Sequence, residues 1–134
     1  MGLKEILDES PHLTGFQRLQ REYDRQFVAD AFTDFDKVRH TYAHMGTLIG
    51  RLGKYVQMVE DGDKDFSPEE IKEKVIPDLL VYSAWLANEF GVNIEEVYLR
   101  RLLGNIQRLH SSKISPEELQ ELEVCINERF PENG

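Results

Sequence analysis

Arg101, Asn105 and Arg108 carry the clearest chemistry in the chain. Their i, i+4, i+7 spacing sets them on one face of a helix. Two guanidiniums around an amide form an oxyanion cradle, because arginine grips a phosphate with two parallel donors. The competing reading is that both arginines pair with carboxylates of neighbouring helices. His40 and His44 stand at i, i+4, the spacing of a helical metal pair, and Asp78 on a facing helix is the candidate third ligand. No glutamate between them completes a His-Glu-x-x-His motif, so surface or hydrogen-bonded histidines are the plainer reading. His12 and His110 have no partner in sequence.

Other residues look reactive and read better as structure. Glu69-Glu70-Ile71-Lys72-Glu73 and Glu117-Glu118-Leu119-Gln120-Glu121 each follow a Ser-Pro pair, where acids complement the dipole of a helix start. Cys125 shares an apolar face with Leu122 and Ile126, which suits a buried structural thiol. Gly46, Gly50 and Gly53 crowd one helix, each costing about 1 kcal/mol against Ala. Close approach of a second helix is the first explanation for them, and room for a ligand the second. No glycine-rich phosphate loop, Cys-x-x-Cys pair or Ser/His/Asp arrangement is present in the sequence.

The elements that position these residues are helices. Thr14…Gln17, Thr33…Asp36, Ser67…Glu70, Asn93…Glu96 and Ser115…Glu118 fit a cap residue followed three later by an acid or amide. Pro68 and Pro116 take first-turn positions, where a missing N–H is harmless. Gly91 suits a left-handed helix end, and Asp61-Gly62-Asp63 a turn. Between these signals Val38, Tyr42, Met45, Ile49, Leu52 and Val56 follow 3–4 spacing, as do Leu79, Tyr82, Leu86 and Phe90. The pattern predicts helices over 15–28, 34–60, 68–90, 94–110 and 116–129, with Pro77 kinking or breaking the third and Asp78 near a helix start. The expected fold class is all-α, an antiparallel bundle of four to five helices in a single domain spanning 1–134.

Composition narrows the function classes. The 134 residues hold Lys+Arg 16 against Asp+Glu 25, a formal net charge of −9. A surface of that sign repels a nucleic-acid backbone, so no polymer of that kind is an expected partner. No apolar run approaches the roughly 20 residues of a spanning helix. The opening residues lack the pattern of a signal peptide, and a lone cysteine forms no internal disulfide, so a reducing cytoplasm is the expected setting.

Asp78-Leu79-Leu80-Val81-Tyr82, followed by Leu86-Ala87-Asn88-Glu89-Phe90-Gly91-Val92-Asn93-Ile94-Glu95-Glu96, closely resembles the second half of the MazG-like, all-α nucleoside triphosphate pyrophosphohydrolases. In that family a Glu-x-x-Asp pair opens a helix ending in a similar Leu-Ala-Asn-Glu turn. The next family helix carries a Lys, an Asn four later and an Arg three beyond, positions that read Arg101, Asn105 and Arg108 here. The resemblance covers about 35–110, leaving 1–33 and 112–134 as peripheral helices.

The resemblance implies that Arg101, Asn105 and Arg108 contact the phosphates of a nucleotide or similar small molecule. It also implies a homo-oligomer, dimer or tetramer, and Mg²⁺ held by four carboxylates from Glu-Glu-x-x-Glu and Glu-x-x-Asp. Asp78 keeps one of these, while Val75 stands at the other position of its pair. Thr47, Leu48 and Arg51 occupy the upstream acid positions, and the alternative register from Ala43 to Leu48 has no carboxylate either. The expected function is therefore nucleotide or phosphate-compound binding with weak or lost hydrolysis. The alternatives are an active metal-dependent hydrolase using His40, His44 and Asp78, and a non-enzymatic helical module that dimerises.

Overall fold

A computed structural model describes residues 2–9, 12–27, 34–63 and 67–132. The described residues form six α-helices and no strand: α1 Leu3–Glu9, α2 Leu13–Phe27, α3 Asp34–Glu60, α4 Ile76–Glu89, α5 Ile94–Leu109 and α6 Pro116–Arg129. A π-helical turn, Ile71–Val75, leads into α4, and a short 3₁₀ turn, Ser111–Lys113, separates α5 from α6. The all-α class is as expected, with α1 added before the first anticipated helix. No described helix is long and apolar enough to cross a membrane.

The cap residues act as their chemistry predicts in three places. Asn93 Oδ1 accepts from the backbone N–H of Glu95 at 3.0 Å and of Glu96 at 3.2 Å, opening α5. Ser115 Oγ accepts from Glu118 N–H at 3.1 Å, opening α6. Ser67 Oγ accepts from Glu69 N–H at 3.3 Å. Thr14 is a correction: α2 already begins at Leu13, and the Thr14 hydroxyl meets Asn93 Oδ1 at 3.4 Å. Thr33 lies outside the described residues.

Two glycines end helices in the left-handed region. Gly62 (φ 69°) closes α3: its N–H reaches Val59 O at 3.1 Å, and Asp63 N–H reaches Met58 O at 3.0 Å. This bond pair satisfies carbonyls the helix end leaves free. Gly91 (φ 66°) closes α4, donating to Asn88 O at 3.4 Å.

Pro77 accompanies a widening of the helix anticipated over 68–90, not a break in it. Ile76 N–H donates to Ile71 O, five residues back, and Pro77 then lies in the first turn of α4, where no donor is needed.

The chain groups into two compact units, Met1–Gly15 with Val92–Gly134, and Phe16–Gly91. In the first, Leu7, Leu99, Leu103, Ile106, Leu122 and Ile126 from α1, α5 and α6 share one core. Glu95, only 5% exposed, ties this unit together: its Oε1 accepts from Leu13 N–H at 3.3 Å and lies 3.4 Å from His12 Nδ1 and 3.9 Å from Arg129 Nη1. In the second, α4 and the π-helical turn pack on α3, burying Thr41, Leu48, Val75, Ala84, Trp85 and Ala87. The 3–4 stripe that marks α3 as a helix is not its buried face: Tyr42, Ile49, Leu52 and Val56 are exposed. The glycines of α3 are a second correction. No atom outside α3's own backbone and their chain neighbours comes within 4 Å of a Cβ built on Gly46, Gly50 or Gly53, so no described helix approaches there.

Candidate functional site

α5 carries Arg101, Asn105 and Arg108 on its surface, with Leu99, Leu103 and Ile106 anchoring its opposite side in the core. Arg108 Nη2 donates to Asn105 Oδ1 at 3.1 Å, which orients both side chains and leaves the Asn105 amide N–H groups as donors. Arg101 is exposed. Among the described residues neither guanidinium is paired with a carboxylate. Arg25, Arg39, Arg51, Arg100 and Arg129 each are. The adjacent Arg100 shows the contrast, since it bonds Glu96 at 3.0 Å, Asn127 at 3.1 Å and Phe130 O at 2.8 Å. Arg100 holds α5 to the end of α6, while its neighbour offers its donors to solvent.

The other candidates lie in the Phe16–Gly91 unit. Arg51 Nε lies 3.0 Å from Glu70 Oε1, and Arg51 Nη1 3.9 Å from Asp78 Oδ2. A guanidinium thus sits beside the one carboxylate kept from the expected ligand set. Leu48 and Val75, at two of the other expected ligand positions, are 2% and 1% exposed and belong to the core. The place of Glu70 after Ser67-Pro68 predicts first-turn electrostatics alone; its pairing with Arg51 is a contact that local sequence does not reveal.

His40 and His44 come together, with ring centroids 4.2 Å apart. They pack against α4: His44 stacks on Tyr82 at 5.3 Å and His40 lies 5.5 Å from Trp85. Burial, and secondarily the neighbouring His44, push the His40 imidazole below its usual range. Among the described residues no three His, Cys, Asp or Glu side chains converge as metal ligands. Mg²⁺ asks for several hard oxygen donors, and an aspartate next to an arginine supplies only one. The described residues do not fit that ion.

A polar cluster between α2 and α4 is absent from the sequence reading. Asn88 Oδ1 accepts from Gln17 Nε2 at 2.9 Å and Arg21 Nη2 at 3.0 Å. Asp24 Oδ1 accepts from Trp85 Nε1 at 2.7 Å and Gln20 Nε2 at 2.9 Å. Arg21, Asp24, Trp85 and Asn88, with Lys37 and Glu89, surround a recess of about 320 Å³. The signal was present: Gln17, Arg21 and Asp24 repeat at i, i+4, i+7, a polar stripe facing a helix that ends in Asn88-Glu89.

A larger cavity, about 410 Å³, lies in the other unit between α1, the 3₁₀ turn and α6. Lys4, His110 and Lys113 line it together with Glu5, Glu118 and Glu121, and Arg101, Asn105 and Arg108 do not. Cys125 donates from Sγ to Asp8 Oδ1 at 3.6 Å, and burial first, Asp8 second, raise its thiol above the ordinary range. A thiol held protonated is a poor nucleophile. The chain matches no family model, no curated protein and no solved structure.

Proposed function

We propose that this protein binds a nucleotide or a related phosphate compound through the Arg101, Asn105 and Arg108 face of α5, with weak or lost pyrophosphohydrolysis. The observation that carries the binding is the state of the two guanidiniums. In a chain of net charge −9, neither is engaged by a described carboxylate, and one is oriented by the amide between them. The Arg108 donors, oriented by that bond, lose little freedom when they meet a phosphate. The resemblance to MazG-like pyrophosphohydrolases points to the same three residues by a separate route.

Reduced hydrolysis rests on Leu48, Val75 and Arg51. The first two are packed in the core, so neither position offers an oxygen. Arg51 puts a fixed positive charge beside Asp78, where that resemblance calls for a cation. A guanidinium balances the carboxylate's charge but cannot lower the pKa of a coordinated water as a metal does. No step of hydrolysis is therefore assigned to these residues.

Isothermal titration with purine and pyrimidine mono-, di- and triphosphates and with inorganic pyrophosphate tests the binding. Each guanidinium–phosphate contact is a charge-assisted hydrogen bond, so Arg101→Ala and Arg108→Ala should each weaken binding by about tenfold or more. Absence of binding to every member of the panel at about 1 mM would remove the proposal, since even that affinity corresponds to only about 4 kcal/mol.

A further inference from the structure

The recess beside α2 and α4 holds more charge than its own contacts satisfy. It belongs wholly to the Phe16–Gly91 unit and is lined by Arg21 and Asp24 of α2, Lys37 of α3, and Trp85, Asn88 and Glu89 of α4. Spacing along the helices gathers them: 21 and 24 lie one turn apart, and 85, 88 and 89 share a face. One wall is held by hydrogen bonds. Asp24 Oδ1 is fixed by Gln20 and Trp85, and Asn88 Oδ1 by Gln17 and Arg21. Both glutamines are buried, so two interior amides preorganise that wall.

The other wall is incomplete. Lys37 Nζ and Glu89 Oε2 stand 3.9 Å apart, beyond hydrogen-bond reach, although their side chains are only 27% and 16% exposed. Among the described residues, neither Glu89 side-chain oxygen accepts a hydrogen bond. One turn along α3 from Lys37, the buried Thr41 hydroxyl also has no described partner. Partly desolvated charges gain little from one another until hydrogen bonds complete them, so these groups favour a polar occupant.

We infer that this recess binds a small zwitterion of the free α-amino acid class. The pattern of signs selects that class. Arg21 and Lys37 are positive and Asp24 and Glu89 negative, so the four charges sum to zero with both signs in place. A simple anion or cation meets two attractions and two repulsions there. A molecule with a carboxylate at one end and an ammonium at the other gains from all four. Its carboxylate meets Lys37 and the exposed Arg21 guanidinium, whose planar fork suits two parallel bonds. Its ammonium meets Glu89 and Asp24 Oδ2, the oxygen to which neither Trp85 nor Gln20 donates. A volume of about 320 Å³ lies at the small end of ligand sites, which suits a molecule of this size.

Titration calorimetry of the full chain with the standard free amino acids, each to about 10 mM, tests the assignment. At least one should bind with a dissociation constant below about 1 mM. Its N-acetyl and carboxamide derivatives each lack one charge and should bind at least tenfold more weakly. Glu89→Gln keeps the side-chain volume and Arg21 is exposed, so Glu89→Gln and Arg21→Gln should both fold, with the parent's circular dichroism spectrum. Each should weaken the free amino acid at least tenfold. The variants also sort the two ends of the ligand. Arg21→Gln should bind the carboxamide as the parent does, and Glu89→Gln should bind the N-acetyl derivative as the parent does. That crossed pattern is not expected of substitutions that merely loosen the helices. No binding by any amino acid, undiminished binding of the charge-blocked derivatives, or variants that weaken both derivatives alike would each overturn the assignment.

Discussion

His40 illustrates how a single residue couples packing to pH. Its ring is wedged between His44, Tyr82 and Trp85, and burial makes its charged form unfavourable. In the unfolded chain the same imidazole takes up a proton near pH 6.5. The folded state resists that proton, so its stability is full above this value and falls as pH drops toward the lower folded value. Thermal unfolding between about pH 7.5 and pH 5 should show a falling midpoint, and His40→Gln should flatten part of the decline, because the unfolded variant has one fewer proton to bind. An equal decline in parent and variant would place the sensitivity elsewhere. The neighbouring groups bear on the result: His44 adds to the cost of charging the ring, Asp24 is engaged by Trp85 Nε1, and Asp78 lies beside Arg51.

At the scale of elements, glycines of opposite setting should respond with opposite sign. Gly91 closes α4 with φ 66°, a conformation that L side chains adopt only with strain, so Gly91→Ala should lower stability by about 1 kcal/mol. Gly50 sits within α3 in open space, where Ala keeps the helix and restricts the unfolded chain; Gly50→Ala should raise stability by about 0.5–1 kcal/mol. Chemical denaturation of both variants checks the pair, and two shifts of the same sign would refute it. The contrast also explains what was legible in the sequence. Caps such as Asn93 and Ser115 are local devices, and 3–4 spacing is a local pattern, so helix positions could be read within a few residues. Which face of α3 turns inward is decided by α4 and the π-helical turn, and no local signal separates Thr41 and Leu48 from Tyr42 and Ile49. α1 escaped for a related reason: Leu7, its anchor among the described side chains, gains its burial from α5 and α6. The Arg101, Asn105 and Arg108 face was legible because three residues of one helix suffice for it. The Gln17, Asn88, Asp24 and Trp85 network was legible on one side alone, as the polar stripe of α2, since its partners lie roughly 60 to 70 positions away.

For the whole molecule, the net charge of −9 and the phosphate-binding proposal act against each other at different ranges. An anion approaching from a distance meets the summed negative field before it meets two guanidiniums. At low ionic strength that field extends about 30 Å, and at physiological salt only about 8 Å. Raising the salt from about 10 to 150 mM should therefore increase the association rate of a nucleoside triphosphate, the opposite of the slowing seen when a basic protein attracts its anion. The contacts themselves lie within a few ångströms and are screened in the ordinary direction, so the dissociation rate should rise as well. The equilibrium constant should consequently vary little with salt, while both rates move. Stopped-flow mixing with a fluorescent nucleotide separates the two. An association rate that falls with salt would mean that the approach is governed by a local positive field strong enough to outweigh the acidic shell. In Arg101→Ala the salt-driven gain in association should persist, because it belongs to the whole charge distribution, whereas dissociation should quicken at every ionic strength.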